Sequence, residues 1–222
     1  MDDVDGSAVL RLFDNLSSTI LDERLIDQDI DVSVFGNDQS DRLAIGYDRA
    51  ALAHQIRVMF EGGAGGEDEI IGPDRANTWQ LQASGTGDVD DVSFSGVERV
   101  KGGAAEDTFV VLDVSVSTSV DGGAGSDTLV GADADNDWTV TDDDAGTLNA
   151  QSFADIENLA GGAGDDSFAF TTDGQLSGAI SGGDGNDTLI AANGDNTWVI
   201  SGDNAGTLNA QATFSGIENL TL

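Results

Sequence analysis

Four lines of the chain place an aspartate in the sixth position behind paired glycines. They read Gly102-Gly103-Ala104-Ala105-Glu106-Asp107, Gly122-Gly123-Ala124-Gly125-Ser126-Asp127, Gly161-Gly162-Ala163-Gly164-Asp165-Asp166 and Gly182-Gly183-Asp184-Gly185-Asn186-Asp187. A fifth line, from Gly62, carries one extra residue, which shifts Asp68. Glycine permits positive φ and brings main-chain carbonyls to the surface of a tight turn. The aspartate aims a carboxylate at the same spot, and an apolar residue two places later (Phe109, Leu129, Phe168 or Leu189) anchors the turn in a core. Carbonyl and carboxylate oxygens suit a hard cation, above all Ca²⁺, which takes about six to eight of them. One turn supplies too few, whereas two turns stacked one coil apart supply enough. The candidate ligand positions are therefore Gly102, Asp107, Gly122, Ala124, Asp127, Gly161, Ala163, Asp166, Gly182, Asp184 and Asp187. The expected sites are the consecutive pairs, Asp107 with Asp127 and Asp166 with Asp187. The plainer reading of the same lines is a tight turn with solvated acids.

These lines sit inside a long repeat. Gly122, Asp127, Trp138, Gly146 and Asn149 recur as Gly182, Asp187, Trp198, Gly206 and Asn209, each 60 residues on. A more worn copy precedes them: Trp79 leads Trp138 by 59, and Val97-Glu98-Arg99-Val100 leads Ile156-Glu157-Asn158-Leu159 by 59. The last copy stops at Leu222, which fits either a cut array or a bare end that stacks on something. Self-similarity at this period marks a supersecondary unit that buries its apolar face only against copies of itself. Paired glycines begin at 62, 102, 122, 161 and 182, so steps of about 20 alternate with steps of about 40. That spacing predicts a solenoid of about 20 residues per coil, three coils per repeat, with one coil in three lacking the glycine turn. In its place stand Asp144-Ala145-Gly146-Thr147-Leu148-Asn149 and Asn204-Ala205-Gly206-Thr207-Leu208-Asn209.

Short runs such as Thr128-Leu129-Val130, Trp138-Thr139-Val140, Phe168-Ala169-Phe170, Thr188-Leu189-Ile190 and Trp198-Val199-Ile200 read as strands bounded by turn residues. The predicted fold is all-β, a parallel β-solenoid over residues 61–222. Residues 1–60 are expected to form an atypical N-terminal cap with degenerate coils. Within the cap, Ser7–Arg24 spaces its apolar residues near the helical period, Ile26–Phe35 alternates like a strand, Gly36–Leu43 reads as a decayed turn, and Ala50–Phe60 is expected to cover the end of the stack. Trp79, Trp138 and Trp198 read as core, with a carbohydrate-stacking stripe as the lesser option. Asn149 and Asn209 are expected to face inward as a ladder or to serve as ordinary turn residues.

Charge sets limits on function. The chain has 222 residues, 42 acidic and 8 basic, for a formal charge of -34, and Lys101 is its only lysine. Such an imbalance repels itself and calls for bound cations or a dense salt atmosphere. Nucleic acid and anionic membrane surfaces are poor partners. The start, Met1-Asp2-Asp3-Val4-Asp5, lacks the basic and apolar regions of a cleaved signal peptide, and no apolar run is long enough to cross a bilayer. Cysteine is absent and His54 is the single histidine, with a structural role as its expected one. Neither H-E-x-x-H, a P-loop nor G-x-S-x-G occurs. Carboxylate-based cleavage of acidic polysaccharides needs basic residues, and only Arg75, Arg99 and Lys101 follow position 57. The chain is expected not to be an enzyme.

The glycine-aspartate lines resemble the RTX, or hemolysin-type, calcium-binding repeat, G-G-x-G-x-D-x-apolar. Residues 122–129, 161–168 and 182–189 match it fully, and Ala105 replaces the third glycine in 102–109. The resemblance implies a parallel β-roll, Ca²⁺ held between successive turns, and secretion from a Gram-negative-type cell. It covers under a quarter of the chain, and the back-to-back nonapeptides of that family are missing. The layout is more similar to the long arrays of giant bacterial surface proteins and adhesins. The expected function is an extracellular, calcium-binding structural or adhesive solenoid that folds when Ca²⁺ binds and associates through its ends. The alternatives are a calcium-binding module that helps a secreted enzyme fold and leave the cell, and a salt-adapted acidic domain without specific sites.

Overall fold

The computed structural model of the chain describes residues 3–4, 7–14, 19–25, 29–46, 56–83 and 85–222, and every element in it is a strand. Strands β1 (Asp3–Val4), β2 (Ser7–Asp14) and β3 (Thr19–Leu25) form a small antiparallel sheet of their own. The helical reading of Ser7–Arg24 is thereby corrected. Apolar runs this short fit either period, and Asn15, Ser17 and Ser18 in their middle are turn formers rather than helix formers.

The solenoid begins at β4 (Ile30–Phe35), β5 (Arg42–Ala44), β6 (Ile56–Glu61) and β7 (Glu69–Ile71). Residues 26–28 and the stretch 47–55, His54 included, lie outside the described residues. Ile56–Phe60 does not cover the end of the stack as expected. It is an interior strand, paired in parallel with β4 on one side and with a later strand on the other. Its alternating burial, with Ile56 and Phe60 buried, suits that place.

Three antiparallel meanders then punctuate the coils. They are β8 (Thr78–Gln82), β9 (Thr86–Val89) and β10 (Val92–Ser95); β15 (Asp137–Asp142), β16 (Ala145–Leu148) and β17 (Gln151–Ala154); and β22 (Trp198–Gly202), β23 (Ala205–Leu208) and β24 (Ala212–Ser215). Between the first two lie β11 (Arg99–Lys101), β12 (Thr108–Val111), β13 (Ser119–Asp121) and β14 (Thr128–Val130). Between the last two lie β18 (Asn158–Ala163), β19 (Ser167–Phe170), β20 (Ala179–Asp184) and β21 (Thr188–Ile190), and β25 (Asn219–Thr221) follows.

Two sheets result, of 12 and 10 strands among the described residues, and outside the meanders the chain crosses from one to the other at each turn. Some parallel neighbours are offset by 20 or 21 residues (Phe109 to Leu129, Phe168 to Leu189), and the others by 26 to 34, as in Ile30 to Ile56, Trp79 to Phe109, Leu129 to Leu159 and Ile180 to Phe214. The uniform period of about 20 is therefore corrected. The segment without paired glycines is no coil: Asp144 and Asn149, at φ of 47° and 52°, turn the chain back on itself within one sheet. Each repeat has one meander and four single strands, an odd number of crossings. The meanders consequently alternate between the sheets, in the 12-stranded sheet at β8–β10, the 10-stranded at β15–β17 and the 12-stranded again at β22–β24.

The core runs between the sheets. Trp79 stacks on Phe109 and Trp138 on Phe168, each at 5.5 Å between centroids, while Phe94 and Phe153 meet the same indoles edge-on. Both indoles are buried, so a surface tryptophan stripe is ruled out for them, and Trp198 is half-buried against Phe214. Burying such a ring contributes roughly 2–3 kcal/mol.

Asn149 and Asn209 act as staples rather than as a ladder. Asn149 Oδ1 accepts the Asp137 N–H at 3.0 Å, and its Nδ2 donates to Asn136 Oδ1 at 3.2 Å; Asn209 repeats both bonds with Thr197 and Asn196. In the first repeat the equivalent residue is Asp90, also at positive φ, and the Asn77 Oδ1 it should serve is buried with no partner. Asp90→Asn supplies the missing donor at the loss of an ion pair with Arg75. A net gain of about 0.5–1 kcal/mol is expected, seen as a higher urea midpoint; an unchanged or lower midpoint would show that the staple does not transfer.

Candidate functional site

The six-residue turns stack along the two edges of the solenoid. Their sixth residues form ladders that run in one direction. The Asn77 N–H donates to Asp107 Oδ1 at 2.8 Å, Asp107 N–H to Asp127 Oδ1 at 2.7 Å, and Asp127 N–H to Glu157 Oε2 at 2.6 Å. A second ladder runs Asn136, Asp166, Asp187, Glu218 with distances of 2.9, 2.9 and 2.8 Å. A third runs Asp41, Asp68, Glu98 with 2.7 and 2.9 Å. Each carboxylate thus satisfies a main-chain donor of the coil before it, a donor that a turn would otherwise leave unpaired.

The glycines explain how the carboxylates fit. A Cβ built on Gly102 would overlap the Gly122 carbonyl oxygen, one on Gly122 that of Asp155, and one on Gly182 that of Gly216. The first-place glycines are needed for the close approach of the next coil's main chain, and the aspartate side chain folds over the space so left. Asp127 Oδ2 would lie 2.7 Å from the Gly122 Cβ and Asp68 Oδ2 2.6 Å from that of Gly62.

Asp107, Asp127, Asp166 and Asp187 are all buried, and the structure sets the pairs Asp107–Asp127 and Asp166–Asp187 on consecutive coils. Asp107 is fully engaged, since its Oδ2 accepts the Gly103 N–H at 2.8 Å. Among the described residues, the Oδ2 atoms of Asp68, Asp127, Asp166 and Asp187 are buried without a hydrogen-bond partner. A buried anionic oxygen with no donor is costly and demands a proton or a cation. Burial accordingly pushes the Asp127 carboxyl up to about 6, helped by the nearby carboxylates of Asp107, Glu157 and Asp155. Burial does the same to Asp166, also to about 6, with Asp187 and Asp135 adding to it. Asp107 and Asp187 are raised by burial as well.

The remaining candidates take main-chain roles. Gly102 N–H donates to Asp121 O at 2.8 Å, Gly122 N–H to Ala154 O at 2.9 Å, and Ala124 N–H to Gly103 O at 3.1 Å. Gly161 O accepts Asn136 Nδ2 at 3.2 Å, Ala163 pairs with Asp184 in the β18–β20 ladder, and Gly182 is buried. The Asp184 side chain is exposed, and its carbonyl accepts the Gly164 N–H at 3.0 Å. Among the described residues no three acidic, histidine or cysteine side chains converge to hold a metal ion. The donors in each turn are one carboxylate oxygen and stacked main-chain oxygens. All are hard oxygen ligands, the type that fits Ca²⁺.

Sequence reasoning missed several ladder members. Asp68 reaches the same buried position because the extra residue of its turn is taken up in the exposed stretch 63–67. Asn77 and Asn136 hold sixth places in turns without paired glycines. Glu98, Glu157 and Glu218 close the ladders, and their recurrence in the Val/Ile-Glu lines was the available signal. No family model matches the chain, and no curated protein matches it.

Proposed function

We propose that the chain is a calcium-dependent structural solenoid of the extracellular space, adhesive or filament-forming, of the kind that the RTX resemblance implies. The observation that carries this reading is the set of orphaned carboxylate oxygens on Asp68, Asp127, Asp166 and Asp187, buried among glycine turns in a chain of formal charge -34. Bound Ca²⁺ would supply the positive charge those oxygens lack. The ligands would be Asp127 on one edge, joined by Asp107 only if it shares an oxygen that already accepts Gly103 or Asn77, and Asp166 and Asp187 on the other, completed by main-chain oxygens of Gly102, Gly122, Ala124, Gly161, Ala163, Gly182 and Asp184. Because the ion binds only the stacked coils, its binding energy adds to folding energy. Low calcium leaves the acids repelling one another, and the higher calcium outside a cell favours the stack. The edge strand β22, with Val199 and Ile200 exposed, favours association with a further β-edge.

Thermal unfolding followed by circular dichroism, in EDTA and then in millimolar CaCl₂ with MgCl₂ as control, tests the proposal. A transition that moves up by several degrees only with Ca²⁺ is expected. Identical curves in EDTA and CaCl₂ would leave the second reading, a salt-adapted solenoid without specific sites. That reading is favoured by one observation: every ladder carboxylate already has a structural task, accepting a main-chain N–H.

A further inference from the structure

A turn without paired glycines precedes each meander, at 72–77, 131–136 and 191–196. In the first two, the N–H of the fourth residue bonds back to the carbonyl of the second, Arg75 to Pro73 at 2.8 Å and Ala134 to Ala132 at 2.7 Å. The third turn differs. Its fourth residue is Gly194, at φ of 141°, and among the described residues its N–H has no acceptor. Asn193 before it and Asp195 after it are exposed, and nothing lies within 4 Å of where a Gly194 Cβ would be. This is the one Asn-Gly step in the sequence. An asparagine amide carbon is a five-membered ring closure away from the next main-chain nitrogen. A side chain on the following residue and a hydrogen bond to its N–H are what normally obstruct that closure, and both are missing here.

We infer that Asn193–Gly194 is a self-modification site at which the chain deamidates through a cyclic imide. The Gly194 nitrogen gives its proton to water or hydroxide and forms a bond to Asn193 Cγ. The Cγ–Nδ2 bond breaks, and the nitrogen takes up a proton and leaves as ammonia. Water then opens the ring at either carbonyl, giving aspartate on the ordinary main chain or isoaspartate on a longer one. The exchange is water in and ammonia out, with no change of oxidation state. The Asp121–Gly122 and Asp173–Gly174 steps are protected by comparison. Their glycine N–H groups are bonded to Ala154 O at 2.9 Å and Thr171 O at 3.1 Å, and an ionised carboxylate is a poor electrophile.

The two products have different consequences. Ordinary aspartate at position 193 reproduces the third-place residue of the other two turns, Asp74 and Asp133. The iso-linkage lengthens the main chain between two carbonyls, Ala192 O and Gly194 O, that hold Asn196 Nδ2 at 2.8 and 3.2 Å. Asn196 in turn receives the Asn209 staple at 3.1 Å, so the attachment of β22 loosens. None of this depends on calcium.

The test incubates the full chain at mildly alkaline pH, folded and in urea, and maps peptides by mass spectrometry that separates aspartate from isoaspartate. Conversion at position 193 in the folded protein is expected, faster at higher pH, while Asn136, Asn149, Asn196 and Asn209 keep their amides. Asn193→Ser should abolish the signal and leave the circular dichroism spectrum unchanged. If the amide at 193 survives in the folded protein, whether or not urea exposes it, the inference is overturned, because the turn then protects the site.

Discussion

Gly122→Ala is expected to destabilise the chain by about 3 kcal/mol or more, or to prevent folding. The added methyl would occupy the space of the Asp155 carbonyl oxygen and press on Asp127 Oδ2 at 2.7 Å. The carboxylate could swing aside, but Asp127 Cβ stands behind it at 2.9 Å, and the first obstacle is main chain. The carbonyl belongs to the next coil, which can yield only by breaking its bonds on both sides. The φ of Gly122 is not in the left-handed region, so the effect would be steric and not a matter of main-chain conformation. Gly46→Ala is the control, since among the described residues nothing lies within 4 Å of its Cβ position and its φ is also ordinary. Urea midpoints for the two variants decide the matter. Equal midpoints would mean that the glycine column is no closer packed than an open turn.

The second large effect is that of pH on the calcium-free protein. Asp127 and Asp166 have folded values of about 6, above the usual 3.8 that they regain on unfolding. The folded state therefore binds protons more tightly than the unfolded chain. Stability must fall as pH rises from about 4 to about 6, and level off above. The change amounts to about 1–3 kcal/mol for each group, with general charge repulsion acting in the same direction. Below that window the trend reverses. Burial alone would raise the Asp121 carboxyl, but bonds from Lys101 and Arg99 at 2.7 and 2.9 Å outweigh it and hold the carboxyl below its usual range. That contribution is lost as acid protonates Asp121.

The double variant Asp127→Asn, Asp166→Asn separates the ladder from the ion. Asparagine keeps the Oδ1 that accepts the Asp107 and Asn136 N–H groups, and asparagine already fills sixth places at 77 and 136. In EDTA at neutral pH the variant should melt higher than the parent and show a flat profile across the window. If Ca²⁺ binds these carboxylates, the variant should also lose its calcium response. A variant that still responds to calcium would remove Asp127 and Asp166 from the ligand set. A parent without the acid-side gain would remove the buried-charge account itself.

Much of this was readable in advance because the informative residues act locally. Gly122 to Asp127 forms its turn from six neighbours in sequence, and Leu129 points inward because a strand alternates. The consecutive placing of Asp107 and Asp127 also follows from counting. The meanders were harder. Asp144-Ala145-Gly146-Thr147-Leu148-Asn149 is a strand between two reversals, and nothing in its composition says whether the chain advances a coil or folds back. That depends on Asn149 bonding to Asn136, 13 residues away in sequence and adjacent only in space. The closing glutamates recur in the sequence, but their task was hidden for a similar reason. Glu157 looks like one more surface acid until Asp127, 30 residues earlier, is found donating to it.

The ladders overlap like the ends of planks in a lap joint. One spans residues 41–98, the next 77–157 and the third 136–218, so both shared stretches, 77–98 and 136–157, contain a meander. At each of the first two meanders the load-carrying column passes to the opposite edge before the previous one has ended. A pull along the rod would therefore find no plane at which a single repeat could be peeled away with its own bonds alone. The rod should part in long, joined segments, a property that suits an object that is stretched in use.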